Sequence, residues 1–582
     1  MTFFENMNDL KRIIWALVLQ NALLHNGKAK VGPVVGKLIS IRSDLRGKIK
    51  EIIPEVENIV EQVNRLPLSE QEKLFKEYSH LIPERKREER KELPPLPEAE
   101  EGKVVTRFSP NPDFVLHLGS ARAAILSHDY ARMYNGKFIL RFEDTDPRGK
   151  KPIPEYYDGI REDLKWLGCN WDEEYIQSLR LELYYKIARA LIEAGKAYVC
   201  TCSPQKFKSL LLRGSPCPCR ILSPNEHADR FQKMIDGEYK EGQAVLRIKT
   251  DLKHPDPSVR DWPALRIIDT KKYPHPITGS KYRVWPLYNF SCAVDDHFME
   301  ITHVIRGAEH RVNELRQSYI FKYMGWDLPV FLHHGKLGVE GMVLSKSKIL
   351  AGIKSGVYSG VDDPRVATLK ALRRRGFQPE AIRKIIHEVA LNPSTAIIEW
   401  KTLEAYNRSL IDPMANRRMV VLDPILLKVR GLTKEIEVNL YLHPNFPEKG
   451  YRRYKIIPDN GFFEAFIDKN DIELIREKKS FRLMGLANIT AEEISDKEIV
   501  GSIFSFDVKE AKKRNLPFIQ WVLSKESVKV SILWSNGRYF PGLGERGLLE
   551  EKIGNIIQME RIGYAKIEEI GKDEVKLIYT HD

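Results

Sequence analysis

Two short runs of β-branched and aromatic residues, KVVTRFSP (103–110) and KFILRFED (137–144), flank an Ala-rich segment of helix length over 119–135. A connection that long does not close a hairpin. It returns the second strand parallel to the first, so the region reads as a βαβ unit with its helix against one face of a parallel sheet. The other residues of this 582-residue chain must be arranged around that α/β layer. Single cores stop growing well below this length, and roughly three to five domains of about 100–200 residues are expected.

Upstream, MNDLKRIIWALVLQNALLHNGKAK has apolar residues at three- and four-residue spacing and stops at Asn26-Gly27, which predicts an amphipathic helix, with two or three more to about residue 80. Its run IIWALVLQNALL is broken by Gln20 and Asn21, short of the roughly 20 apolar residues of a membrane span, and no membrane association is expected. PERKREERKELPPLPEAEEG (83–102) combines charge and proline with few apolar residues and predicts a linker. Residues 1–95 are thus expected to form a helical extension with its linker. The α/β domain is expected over 103–350, with an insertion at 195–265. Within it, 152–199 reads as helical and 264–308 as strands and turns. Residues 351–415 are expected to be helical, with Asp362 or Asp363 capping a helix that tolerates Pro364 in its first turn. Over 416–582, runs such as IEVNLYLH, SFRLMGLANI and EVKLIYT alternate with Gly, Asn, Asp and Pro turns, which predicts β-barrels. The expected fold class is therefore multidomain α/β followed by an all-β region.

Lys and Arg outnumber Asp and Glu by 93 to 80, a formal charge of +13. This excess suits a polyphosphate partner, above all nucleic acid, or else a charge-rich solvated surface. With 42% hydrophobic residues the chain is neither disordered throughout nor collagen-like. Four of six cysteines fall in CTC and CPC at 200–202 and 217–219. Cys200, Cys202, Cys217 and Cys219 suit a closed tetrahedral zinc site in a reducing, cytoplasmic setting, with two disulfides or free core thiols as the alternatives. Cys169 and Cys292 read as packing residues.

His117 and Gly119 stand between a Pro-rich turn and the Ala-rich helix, where helix N–H groups and the dipole favour phosphate. Some 230 residues later, VLSKSK (343–348) offers Lys346 in a Ser-Lys-Ser loop, a cation able to meet charge developing on phosphate. The two segments together resemble the paired signatures of class I aminoacyl-tRNA synthetases. With RFSPNP, LRFEDTDPR, LYNFSCAVDDH and THVIRGAEH between them, the ordered set resembles the glutamyl-tRNA synthetases of archaeal type through essentially the whole chain.

The resemblance implies a Rossmann-like catalytic domain carrying a zinc insertion near the tRNA acceptor stem, a helical stem-contact region and C-terminal anticodon-binding barrels. It implies L-glutamate, ATP with magnesium, tRNA(Glu) and also tRNA(Gln) as ligands, with a monomer and a protein partner at the N-terminal helices as further expectations. By resemblance, Arg107 and Arg306 face the substrate carboxylates, Glu143 the ammonium and Tyr288 a pocket wall, with Asn111 nearby. His117, Gly119, Ser120, Ser345 and Lys346 serve ATP, with His117 and Lys346 catalytic. Three positions depart from the pattern: Ser120, Phe114 where Gly is usual, and Val343 where Lys is usual. Asp295, Asp296 and His297 read as structural or tRNA-facing residues at a strand-to-turn transition. Glutaminyl-tRNA synthetase is the neighbouring alternative, disfavoured because Arg306 would meet a charged side chain. A non-catalytic RNA-binding relative is the alternative from another class.

Overall fold

The computed structural model describes residues 3–24, 27–42, 45, 49–81 and 93–582, in two compact units. Asn26 and the linker residues 83–92 lie outside the described residues. The first unit holds α1 (Phe3–Leu24), α2 (Val31–Ile41), α3 (Ile49–Arg65) and α4 (Leu68–Tyr78) around Ile14, Leu17, Val18, Val56, Ile59 and Val63. The buried Gln71 amide nitrogen lies within hydrogen-bond distance of the carbonyls of Gly27, Val63 and Leu66, so its two N–H donors are shared among three backbone acceptors at helix ends.

The second unit contains the expected βαβ: β1 (Val105–Phe108), α5 (Leu118–Met133) and β2 (Lys137–Phe142), with Arg107 registered against Ile139. Helix α6 (Pro154–Trp166) leads to β3 (Glu173–Ile176), parallel to β2. Strand β3 departs from the helical expectation for 152–199. It is a half-exposed edge whose glutamates pair with Lys137 and Arg161, so charge masks the alternation that would mark a strand.

The segment that follows runs through α7 (Leu181–Glu193), β4 (Ala197–Cys200), α8 (Pro204–Leu212), α9 (Pro224–Asp236), β5 (Val245–Ile248), β6 (Pro263–Ile267) and β7 (Val284–Pro286), and includes residues 195–265. Its strands form an antiparallel sheet in chain order over a separate core that includes Trp285 and Phe290. Then come α10 (Tyr288–Phe298), β8 (His303–Gly307), α11 (Arg311–Met324) and β9 (Val330–His334), the last parallel to β8. Val104 bonds toward β2 while Val105, facing the other way, accepts from Thr302 N–H at 3.0 Å. Strand β8 thus starts on the far side of β1, and the order of the parallel layer reverses there. Such a reversal opens a crevice at the strands' carboxyl ends.

Strand β10 (Leu337–Val339), α12 (Lys346–Lys354), α13 (Leu369–Arg374), α14 (Pro379–Val389), β11 (Ala396–Ile398) and α15 (Trp400–Ile411) follow. Leu369, Leu372, Ile382 and Ile385 share one core with Leu118, Ile125, Phe138 and Leu140, so these helices pack on the parallel layer. The cap of α13 is Thr368, not Asp362 or Asp363 as expected. Asp363 instead accepts from Ser359 and Arg365, which turns the chain before the helix begins. Buried Arg122 on α5 donates to the carbonyls of Gly335, Val389, Ala390 and Asn392. A cation thus closes the carboxyl end of α14 and pins α5 to it.

Beyond Ala415 two seven-stranded sheets each enclose an apolar core. The edges of one are β12 (Asn416–Arg418) and β13 (Val420–Val421), one residue apart in the chain; those of the other are Phe518–Ile519 and Val522–Leu523, two residues apart. Edges so close along the backbone require each sheet to curl round on itself, which agrees with barrels. No helix among the described residues is long and apolar enough to cross a membrane.

Candidate active site

Strand alternation sets the site. Arg107 stands opposite Ile139, Ile139 and Arg141 occupy alternate positions along β2, and Glu143 follows two residues on, just past the strand's end, so both arginines share a face and the glutamate lies next to them. Asp296 of α10 reaches them: Arg107 Nε donates to it at 3.1 Å and Arg141 Nη1 at 2.7 Å. All three groups are buried. Burial alone would raise the Asp296 carboxyl, but the two guanidinium groups hold it below the usual carboxylate range. Arg141 also donates to Glu143 at 3.2 Å, and the Cys292 thiol lies 2.9 Å from the same oxygen.

This cluster floors a cavity of about 580 Å³ just past the carboxyl ends of β1, β2 and β8. Arg107, Asn111, Glu143, Tyr288 and Arg306, five residues singled out from the sequence, all line it. Arg306 lies 4.8 Å above the Phe331 ring and spends Nη1 on Gln317 at 3.0 Å. Its Nε and Nη2 are buried without a protein partner, as are Asn111 Oδ1 and Ser109 Oγ. Burying unpaired guanidinium N–H groups is costly, so the wall at Arg306 is built for an anion. His310, also lining the cavity, is pushed down to about 4 by burial and by Arg306, which leaves its ring neutral at pH 7. The cavity therefore offers a cationic end at Arg306 and an anionic group at Glu143.

His117, Gly119, Ser120, Ser345 and Lys346 do not line this cavity. They lie beside it, since Asn111 precedes His117 in the same turn and Ala123, one helical turn beyond Gly119, lines the cavity. His117 is the N-cap of α5: Ser120 N–H donates to its Nδ1 at 3.2 Å, while His117 N–H donates to Ser120 Oγ at 2.9 Å. Ser120 therefore completes a capping box. An accepting Nδ1 leaves the proton of the neutral ring on Nε2. A side chain at Gly119 would meet the imidazole at 3.0 Å, so this glycine makes room for the ring. Lys346 opens α12 with Ser345 before it, and its ammonium pairs with Asp113 at 2.5 Å.

The four cysteines converge, their sulfur atoms all within 4.8 Å of one another. Separations of 3.5 Å (Cys200–Cys217), 3.3 Å (Cys202–Cys217) and 3.9 Å (Cys202–Cys219) are recorded, and none of the four is in a disulfide.

Asp295 and Asp296, read as structural or tRNA-facing at a strand-to-turn transition, are buried on helix α10 and structural. Asp295 accepts from Arg180 at 2.8 Å and from the Tyr184 hydroxyl at 2.6 Å. Asp144 was passed over; it accepts from Tyr157 and Ser178 and ties β2 to the chain after β3. The usable signal was Arg107 and Arg141 at matched strand positions, which demand a buried acid on a facing element.

A family model described as "tRNA synthetases class I (E and Q), catalytic domain" matches residues 103–413, and one described as the "anti-codon binding domain" of the same class matches 415–509. A protein named Glutamate--tRNA ligase from Thermococcus kodakarensis is 48% identical over 99% of this chain and 100% of its own length. Proteins of the same name from Pyrococcus furiosus and Thermofilum pendens are each 48% identical, over 98% and 99% of this chain and all of their own length.

Proposed function

Since this chain belongs to the class I tRNA synthetases of the glutamate and glutamine type, we propose that the cavity beneath Arg306 is its amino-acid pocket. The activity is that of a glutamate–tRNA ligase, which joins glutamate to tRNA for protein synthesis. Glutamate carries two carboxylates and one ammonium. The two unpartnered N–H groups of Arg306 meet one carboxylate, and this single observation carries the glutamate assignment. Glu143, steadied by Arg141 and Cys292, takes the ammonium. Tyr288 and Asn111 close the walls, and Arg107 faces the second carboxylate from its anchorage on Asp296.

In this reading the substrate α-carboxylate attacks the α-phosphorus of ATP in line. The new O–P bond forms as the bond to pyrophosphate breaks, and a terminal adenosine hydroxyl of tRNA then takes the acyl group with AMP leaving. No protein nucleophile is required. Alignment of bound reactants is worth about 7–11 kcal/mol in such reactions, and preorganised donors add to it. His117 gives its Nε2–H and Lys346 its ammonium to the phosphate oxygens, with Gly119 and the Ser120 capping box holding the imidazole. Magnesium, when bound with ATP, supplies further charge neutralisation. Burial lowers the His117 pKa below its ordinary value of about 6.5, so the ring is neutral from there upward. Protonation of Nδ1 would break the bond from Ser120. The glutamate-dependent exchange of pyrophosphate into ATP, assayed with tRNA present, is therefore expected to be flat above pH 6.5 and to fall only below it; an acid limb centred above 6.5 would contradict this role.

The cysteine cluster supports zinc. Four thiolates at about 2.3 Å from a tetrahedral ion stand about 3.8 Å apart; three of the pairs here are 3.3–3.9 Å apart and all four sulfur atoms lie within 4.8 Å of one another. Cys200, Cys202, Cys217 and Cys219 would hold the ion, which supplies cross-linking of the insertion, not chemistry. Metal analysis of the purified protein is expected to give one zinc per chain, and Cys217→Ser to lose it with a lower melting temperature. Full melting temperature in the metal-free protein would argue for plain core thiols.

A further inference from the structure

We propose that Asp113 is a positioning residue that parks Lys346 in the nucleotide-free enzyme, and that Phe114 and Val343 weld together the two loops this pair spans. The proposal rests on the reading that Lys346 serves the ATP phosphates. Lys346 is the first residue of α12, where the helix dipole disfavours a cation and Ser345 makes no side-chain cap. The Asp113 carboxylate, 2.5 Å from the ammonium and only 15% exposed, offsets that cost. Asp113 thus occupies the partner position that a phosphate oxygen would take.

Behind the ion pair lies an apolar cluster of Phe114, Val115, Ile349 and Val366, with Val343 packed against it. Phe114 and Val343 are two of the three departures from the family pattern, and both fall in this one cluster. The segment 366–369 splints the two sides. Ala367 N–H donates to Val343 C=O at 3.2 Å, while Leu118 N–H donates to Ala367 C=O at 3.1 Å and Leu369 N–H to Leu116 C=O at 2.9 Å. The His117 turn and the Lys346 loop are therefore joined before nucleotide arrives. What binding must do is exchange one anion for another at Lys346. Asp113 accordingly competes with ATP in the ground state but not after Lys346 has moved to phosphate.

The test compares Asp113→Asn with wild type in the tRNA-dependent, glutamate-dependent exchange of pyrophosphate into ATP. The expected result is a KM for ATP about three- to fivefold lower, the scale of a partly exposed ion pair, with kcat within twofold. An unchanged or higher KM overturns the parking role, and Asp113→Ser is read on the same scale should the asparagine variant not fold. Hydrogen exchange on the full chain without nucleotide tests the weld. Phe114→Ala is expected to speed exchange at the Ala367 and Leu369 amides at least tenfold, and unchanged exchange overturns it. Lys346→Ala run alongside separates the two layers: wild-type rate there overturns the reading of Lys346 itself, whereas a lost rate with Asp113→Asn unchanged overturns only the parking.

Discussion

Arg306→Ala is expected to lower kcat/KM for glutamate by about a thousandfold or more, because a site built to hydrogen-bond a polar group loses several orders of magnitude when that bond cannot form. The loss should fall on glutamate alone, with the KM for ATP within a few-fold of wild type. Three features of the arrangement argue for a loss that large. The guanidinium is buried, it stacks on Phe331, and Gln317 holds it through Nη1 while Nε and Nη2 have no protein partner. Arg306→Lys should recover little, since one ammonium cannot reproduce two parallel N–H bonds and the bond to Gln317 together. Steady-state charging over a range of glutamate concentrations measures this. A loss below tenfold would remove Arg306 from the pocket.

Asp296→Asn is expected to cost stability as well as activity. The carboxylate is the shared partner of Arg107 and Arg141, both buried, and its neutralisation leaves Arg107 without its ion-pair partner and Arg141 with Glu143 alone. Removing one member of a buried ion cluster costs about 3–5 kcal/mol. The pKa direction gives the same sign. A carboxyl held below its ordinary value stabilises the fold above the unfolded pKa, and that contribution is lost as pH falls through the folded one. Denaturant unfolding of the α/β unit at pH 7 is expected to move to markedly lower midpoint in the variant, and the gap to narrow in acid. A variant as stable as wild type at pH 7 would mean that water reaches the two arginines. Charging should fall too, since Arg141 steadies Glu143.

Local pattern carried much of this architecture. The runs around Arg107 and Arg141 read as strands because β-branched and aromatic residues dominate them, and the paired cysteines read as one centre from spacing alone. Arg107, Asn111, Glu143, Tyr288 and Arg306 were legible as a set only through the resemblance, because five separated positions have no local signal of convergence; the crevice where β8 starts beside β1 is what gathers them. Local pattern failed where tertiary partners decide. NFSCAVDDHF has strand-like apolar residues and two acids, yet it folds as α10 because Asp295 and Asp296 each find arginine on a neighbouring element. Ser120, expected at the nucleotide, also closes the cap on His117, a contact that no local pattern marked.

The central claim is that a carboxylate side chain is selected at Arg306. The most direct measurement is charging of purified tRNA(Glu) and tRNA(Gln) by the full chain with labelled glutamate and, separately, labelled glutamine, in ATP and magnesium. The account predicts glutamate on tRNA(Glu), with glutamine at least a thousandfold poorer as substrate, and activity on tRNA(Gln) would set the tRNA range. Comparable charging with glutamine, or none with glutamate, would contradict it.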